Sequence, residues 1–169
     1  MAIDTLLVGG TTNCYIVYDD DKNGFIIDPG AEAEKILAYV KNLGLAIEGI
    51  LLTHGHGDHI SALNKVRDAL GVKVYMHKDE LENFLSQSPQ FVAMLGGELP
   101  NKNPDVLLQD GDIISFKAGD VRFSLRRVIR RGASVTYTAI RFSPATPCSK
   151  VPSAARIFPA ATYLPLWNL

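Results

Sequence analysis

The chain has 169 residues, of which 47% are hydrophobic and 21% are charged, a balance that is ordinary for a folded globular domain. No apolar run approaches the roughly 20 residues that a membrane-spanning helix requires, and residues 1–10 lack the basic start and apolar core of a secretory signal. We therefore expect a cytoplasmic protein without a membrane partner. Two cysteines exclude a disulfide framework, and Cys14 is expected to be a small core residue.

Charge is divided unevenly along the chain. Residues 1–124 hold all 18 acidic residues against 10 Lys and Arg, a net charge of −8. Residues 125–169 hold 7 Lys and Arg and no acid, a net charge of +7. A basic tail of this kind is typical of a segment that binds nucleic acid or a membrane. We hypothesise another cause, given below, and predict two regions, 1–124 and 125–169.

Hydrophobic periodicity predicts strands that alternate with helices. β-branched, aromatic and alternating residues predict strands over 12–18, 24–28, 47–53, 72–76, 106–108, 112–116 and 121–125. Helical spacing of apolar residues predicts helices over 31–43, 60–70 and 78–86. Gly44 and Gly71 stand where they would end the first two helices. Residues 91–104 are rich in Gly, Pro and Asn and are expected to be irregular, so the pattern indicates an α/β or mixed fold.

Three of the four histidines lie within residues 51–60, between a strand pattern and a helical one. His54 and His56 are two residues apart, so in an extended segment both side chains point to the same side and can share one ion. Independent surface or capping histidines are the plain alternative. The density of histidine beside an aspartate favours a metal site, because imidazole nitrogens suit zinc and a carboxylate is also accepted by manganese or iron.

Asp58 and His59 complete this stretch. Gly55 and Gly57 lack a Cβ atom and are expected to allow a tight turn that brings Asp58 and His59 to a second ion. Two ions about 3.5–4 Å apart would hold a hydroxide and polarise a carbonyl or phosphoryl oxygen. The spacing therefore predicts a two-metal hydrolytic centre.

Three further residues stand at the ends of predicted strands. Asp28 closes a strand before Pro-Gly and is either a turn-capping residue or a partner that orients the metal ligands. Thr53 has the same second role open to it, or is simply a β-branched strand end. His77 is expected to be a structural or surface residue.

Residues 53–59 read Thr-His-Gly-His-Gly-Asp-His and resemble the T-H-x-H-x-D-H signature of the metallo-β-lactamase superfamily. The segments Thr-Asn-Cys-Tyr at 12–15 and Ile-Ile-Asp-Pro-Gly at 26–30 resemble its thioesterase-like branch, above all the small hydroxyacylglutathione hydrolase (glyoxalase II)-like proteins. The resemblance covers about residues 3–124. It implies an α+β fold, an αββα sandwich whose metal centre lies at the edge of its sheets.

The resemblance also implies an activity and a set of ligands. It implies a zinc centre, with iron or manganese as alternatives, that hydrolyses a small thioester or ester substrate. His54 and His56 would bind the first metal, and Asp58 and His59 the second. Asp58 would in addition be a catalytic proton acceptor.

The chain departs from the superfamily after residue 124. The family completes its site with a Gly-His-Thr segment, a Gly-Asp-Thr-Leu-Phe segment whose Asp bridges the metals, and a late histidine. Here no His follows His77 and no Asp follows Asp120. Because a catalytic zinc normally takes three protein ligands, we expect weak metal binding and impaired turnover in this chain.

The genetic code suggests why these motifs are missing. Triplets that span adjacent codons, read with degenerate third bases, permit Thr-Pro-Gly-His-Thr-Pro-Gly-Ser from residue 125. The same alternative frame permits Ser-Gly-Asp-Thr-Leu-Phe from residue 143 and Gly-Arg-Thr-Asp from residue 153. We hypothesise that residues 125–169 are a frameshift product, natural or from sequencing, and not a nucleic-acid-binding tail.

Other functions remain open from the sequence. An iron-dependent sulfur dioxygenase of the same fold would use one metal. A nuclease of this fold would need a further domain, and a secreted β-lactamase an export signal. From a different class, the chain would be a non-catalytic remnant whose basic tail binds polyanions, with steep loss of binding in salt.

Overall fold

The computed structural model describes the backbone of residues 1–130, 133–144 and 156–157, and the side chains of residues 1–124, 140 and 141. Within these ranges the chain forms two sheets and five α-helices. The predicted boundary between residues 124 and 125 falls within one long strand, Gly119–Arg130. The predictions for residues 145–155 and 158–169 lie outside the described residues.

The first sheet has six strands in chain order. They are β1 (Ala2–Val8), β2 (Thr12–Tyr18), β3 (Asn23–Ile27), β4 (Ala46–Leu52), β5 (Lys73–His77) and β6 (Val106–Leu108). β1 to β3 are antiparallel and β3 to β6 are parallel. Parallel strands covered on both faces are continuous apolar runs, and Ile50, Leu51 and Leu52 of β4 are accordingly fully buried.

Helices cover one face of this sheet. They are α1 (Ala33–Leu43), α2 (Gly57–Ile60), α3 (Leu63–Leu70), α4 (Leu81–Leu85) and α5 (Pro89–Met94), with a 3-10 turn over Lys78–Glu80. Ile36 of α1 and Val66 of α3 pack with Ile26 of β3 in one buried cluster. Gly44 and Gly71 end α1 and α3 in the left-handed conformation, as predicted.

The second sheet packs on the other face of the first. Its antiparallel strands are β7 (Ile113–Phe116), β8 (Gly119–Arg130), β9 (Ala133–Pro144) and β10 (Arg156–Ile157). Phe25 of β3 stacks on Phe116 of β7 with ring centroids 5.1 Å apart, and Phe123 of β8 is fully buried in the same cluster. Helices, first sheet and second sheet thus form successive layers, which confirms the α+β class and the sandwich.

The described structure corrects three of the predicted elements. The edge strand β1 was not predicted, and residues 91–94, expected to be irregular, belong to α5. The start of α5 carries a signal, because Ser88 accepts a hydrogen bond from the Phe91 amide and Pro89 is at the first helical position. The helix expected over 60–70 is two helices, because the backbone between them bonds elsewhere: the Ala62 amide donates to the Pro29 carbonyl.

No helix in the described ranges is both long enough and apolar enough to span a membrane.

The residues of the predicted metal site lie at one edge of the first sheet. β3, β4 and β5 are parallel, so their carboxyl ends meet there. In open α/β sheets this is the edge where ligands bind.

Candidate metal centre

The histidine-rich stretch is the loop that joins β4 to α2. It begins at Thr53, directly after β4, and His56 is the residue before α2. Asp28 directly follows the neighbouring strand β3. The parallel pairing of the two strands therefore places an acidic side chain beside a loop that contains three histidines.

Asp28 is the buried anchor of this loop, with 1% of its surface exposed. Its Oδ1 accepts a hydrogen bond from the Thr53 amide at 2.8 Å, and its Oδ2 accepts from the Thr53 hydroxyl at 2.6 Å and from His59 Nδ1 at 3.0 Å. Burial alone would raise the pKa of Asp28. The charge and hydrogen bond of His59, aided by His54 and Thr53, outweigh burial and hold that pKa below its ordinary value. Asp28 is thus an ionised acceptor that fixes the loop, and not only a turn residue.

These hydrogen bonds decide which nitrogen of each ring is free. A carboxylate only accepts, so His59 must donate from Nδ1 and keeps the lone pair on Nε2. The Thr53 hydroxyl donates to Asp28 and therefore accepts from His54 Nδ1, 2.9 Å away. His54 and His59 consequently both present Nε2 lone pairs, the form in which imidazole binds a metal.

The histidine rings lie close together. The ring centroid of His54 is 4.0 Å from that of His59 and 4.7 Å from that of His56. Burial, followed by the charge of His59, lowers the pKa of His54 to about 4, so this imidazole is neutral near pH 7. One ligand atom from each of Asp28, His54 and His59 lies within 4.8 Å of the others, an arrangement that could hold a metal ion.

Asp58 lies beside Nε2 of His59, on the opposite side of the ring from Asp28. Its Oδ2 is 3.5 Å from His59 Nε2 and accepts a hydrogen bond from the Thr12 hydroxyl at 3.1 Å. Burial would lower the pKa of His59, but the charge and hydrogen bond of Asp28, with the charge of Asp58, outweigh it and raise the pKa. The two carboxylates thus favour positive charge at His59. A divalent cation would supply the same positive charge.

Gly55 has a role other than the predicted one. Neither it nor Gly57 has a positive φ, so the turn itself does not require glycine at either position. A Cβ on Gly55 would instead collide with the backbone nitrogen of Phe84 in α4. The Gly55 amide also donates to the buried Glu80 carboxylate at 3.3 Å. The glycine thus allows α4 to approach the loop closely.

A family model described as the Metallo-beta-lactamase superfamily matches residues 7–128. The chain belongs to the Metallo-beta-lactamase superfamily. It is 38% identical over 109 residues to hydroxyacylglutathione hydrolase GloC of Haemophilus influenzae. The alignment covers 62% of this chain and 50% of that protein. It is 41% identical over 103 residues to the probable metallo-hydrolase YqgX of Bacillus subtilis, which covers 60% of this chain and 48% of that one.

One solved structure of similar fold is that of TTHA1623 in a di-iron-bound form. It superposes with a TM-score of 0.59 at 28% identity, over 83% of this chain and 66% of that one. The chain spans about half the length of the curated relatives that it matches.

The Metallo-beta-lactamase superfamily binds divalent ions, usually two, and the imidazole and carboxylate side chains present are of a kind that binds such ions. Of the four predicted ligands, His54 and His59 belong with Asp28 to the group whose ligand atoms lie within 4.8 Å of one another. His56 and Asp58 are not in that group, although the His56 ring centroid is 4.7 Å from that of His54 and Asp58 Oδ2 is 3.5 Å from His59 Nε2. Thr12 and Glu80 were missed as residues that hold the loop. Thr12 lies in a segment that resembles the superfamily, whereas the sequence around Glu80 carries no comparable signal.

Two further titratable residues, His77 and Cys14, are buried and do not belong to the group that could hold a metal. His77 is 2% exposed, and its Nδ1 accepts a hydrogen bond from the Asp79 amide at the start of the 3-10 turn. Cys14 is fully buried, and burial, aided by the charge of Asp28, raises the pKa of its thiol. Neither residue offers a ligand to the loop.

Proposed function

We propose that this chain binds divalent metal ions through His54, His56, Asp58 and His59, and that the superfamily site from which it derives hydrolyses a small thioester or ester. Zinc is the first candidate because three of the four ligands are imidazoles. The di-iron form of TTHA1623 supports iron as an alternative. The name of GloC supports a hydroxyacylglutathione as one substrate.

One observation carries this proposal: the hydrogen bonds that start from Asp28 occupy Nδ1 of both His54 and His59 and leave Nε2 of each ring for a metal. Surface histidines gain nothing from a buried carboxylate that fixes their tautomers. Metal ligands gain affinity from it, since partners of this kind orient the ring and raise its basicity. The relay through Thr53 brings His54 into the same system.

Each reacting group has a place in this scheme. When bound, the metal would ionise water near neutral pH and polarise the carbonyl of the substrate. Asp58, which the Thr12 hydroxyl orients at 3.1 Å, would accept a proton from the attacking water. Water adds to the carbonyl carbon, the carbon–sulfur bond breaks, and the products are a carboxylic acid and a thiol.

Turnover by this particular chain is proposed to be weak. The four residues supply about two ligands to each ion, and a catalytic zinc normally takes three. The sequence has no histidine after His77 and no aspartate after Asp120 to complete either ion. We propose metal binding with activity near background.

Zinc titration of the metal-free chain, followed by a thioester assay, tests both parts. We expect zinc to bind and His54→Ala to weaken binding by at least about tenfold. His77→Gln is the matched control, since His77 lies outside the cluster and should leave zinc affinity unchanged. Equal zinc affinity in His54→Ala and the unaltered chain would overturn the ligand assignment. Turnover at ordinary enzyme rates of about 1–1,000 per second would overturn the proposed impairment.

A further inference from the structure

Residues 83–97 form an uncharged surface segment. They include no Asp, Glu, Lys or Arg, although 21% of the whole chain is charged. Two large apolar residues of this segment's helix α5 are exposed, Phe91 to 40% and Met94 to 75%. They are three residues apart, so they lie on one face of the helix. We refer to Phe91 and Met94 as the α5 surface.

The α5 surface adjoins the histidine-rich residues 53–59, which we call the metal loop. A Cβ built on Gly57 would lie 3.0 Å from Cδ1 of Phe91, so the ring packs directly on the residue between His56 and Asp58. The Gly57 amide also donates to the Gln87 side chain at 2.8 Å. The uncharged segment therefore contacts the metal loop at Gly57, between the predicted metal ligands His56 and Asp58.

Other contacts hold α5 in place. Val92 is fully buried, its carbonyl accepts from the Gly97 amide, and the Ser61 carbonyl accepts from the Glu98 amide. Ser88 caps the start of the helix. Met94 in particular adds little to this attachment, because three quarters of it faces solvent. An exposed apolar surface beside a group of polar side chains is typical of a ligand-binding site.

We propose that the α5 surface binds the aliphatic acyl chain of the substrate while its carbonyl faces the metal loop. This inference rests on the proposed function. Residues 83–97 are fifteen consecutive uncharged residues, so this segment offers no ion-pair partner to the charged thiol part of a substrate. We therefore assign the uncharged acyl chain to the α5 surface. The substrate class is therefore a thioester whose acyl group has an alkyl chain of several carbons.

Hydrolysis-resistant analogues test this directly. In N-acetylcysteamine conjugates with a methylene between sulfur and carbonyl, the acyl chain can be lengthened from four to eight carbons without adding charge. Burying one side of a methylene strengthens binding about twofold, so we expect affinity to rise about sixteenfold across the series. Calorimetry of the full chain is run in EDTA and again with zinc.

Variants locate the effect. Met94→Ser and Phe91→Ala should each flatten the dependence of affinity on chain length. Met94→Ser should disturb folding less than Phe91→Ala, because Met94 is more exposed than Phe91. Ile113→Ser is the matched control, since Ile113 is 51% exposed on β7 in the second sheet, and it should leave the dependence unchanged. Circular dichroism verifies folding.

The outcomes separate the two proposals. Equal affinity along the series, an effect of Ile113→Ser as large as that of Met94→Ser, or a Met94-dependent dimer in sedimentation would each overturn acyl binding. A chain-length dependence that Met94→Ser removes, but that zinc leaves unchanged while zinc itself fails to bind, would support the α5 surface and overturn the proposed metal function.

Discussion

Replacing Asp28 by Asn tests the central physical claim about the metal loop. The amide keeps the size of the side chain and can still accept from the Thr53 amide. It places an NH₂ group where Oδ2 now accepts from the Thr53 hydroxyl and from His59 Nδ1. A donor facing Nδ1 favours the other tautomer of His59, in which Nε2 carries the proton and cannot bind a metal.

Two magnitudes follow from this change. Loss of an orienting partner weakens metal binding by about 10–100-fold, which is roughly 1.4–2.7 kcal/mol. Loss of hydrogen bonds to a buried charged group costs about 1.5–3 kcal/mol of folding stability in the metal-free chain. The pKa of Asp28 is lowered on folding, so its stabilisation is present above the unfolded pKa of about 3.9 and is lost as pH falls through the folded pKa. Asp28→Asn should remove this acid-dependent part.

Zinc titration against a chromophoric chelator and urea unfolding in EDTA measure the two effects. Asp105→Asn is the matched control, because Asp105 accepts from Arg67 at 2.7 Å and from the Val74 amide at 2.7 Å, contacts that do not involve the metal loop. It should lose stability and keep its zinc affinity. The reasoning is refuted if Asp28→Asn binds zinc within about twofold of the unaltered chain, well short of the expected loss.

Three further predictions concern other parts of the chain. Gly55→Ala should cost about 1–3 kcal/mol in urea unfolding through overpacking against Phe84; an unchanged midpoint would contradict the close approach. Tyr18 donates to Asp4 at 2.8 Å, and that bond, with burial, raises its pKa to about 12, so this stabilisation should fade as pH rises from about 10; Tyr18→Phe should lose about 1 kcal/mol and this alkaline dependence, seen in melts at several pH values. Finally, the nucleotide sequence from codon 125 onward should encode the missing motifs in the alternative frame, and third bases that forbid them would end the hypothesis.

The sequence predicted what depends on pattern and missed what depends on contact. Helices such as α1 follow from the spacing of residues like Ile36 and Val40, and the histidine loop follows from its composition. β1 was missed because it is an edge strand in which only Val8 is buried, so it shows no clean alternation. Glu80 could not be assigned to the loop, because its bond to Gly55 spans 25 residues and depends on how α4 packs.

The first part of the chain supplies the described hydrogen bonds that orient the metal loop. Among the residues that the structure describes, the partners in these bonds lie between Thr12 and Gln87. The core between the sheets, by contrast, needs Phe123 and Ile140 from β8 and β9. Changes after residue 124 should therefore act on the stability of the sandwich and on the number of metal ligands, while the tautomers of His54 and His59 stay set by Asp28. We therefore expect the metal affinity of this chain to be limited by the number of its ligands and not by the orientation of His54 and His59.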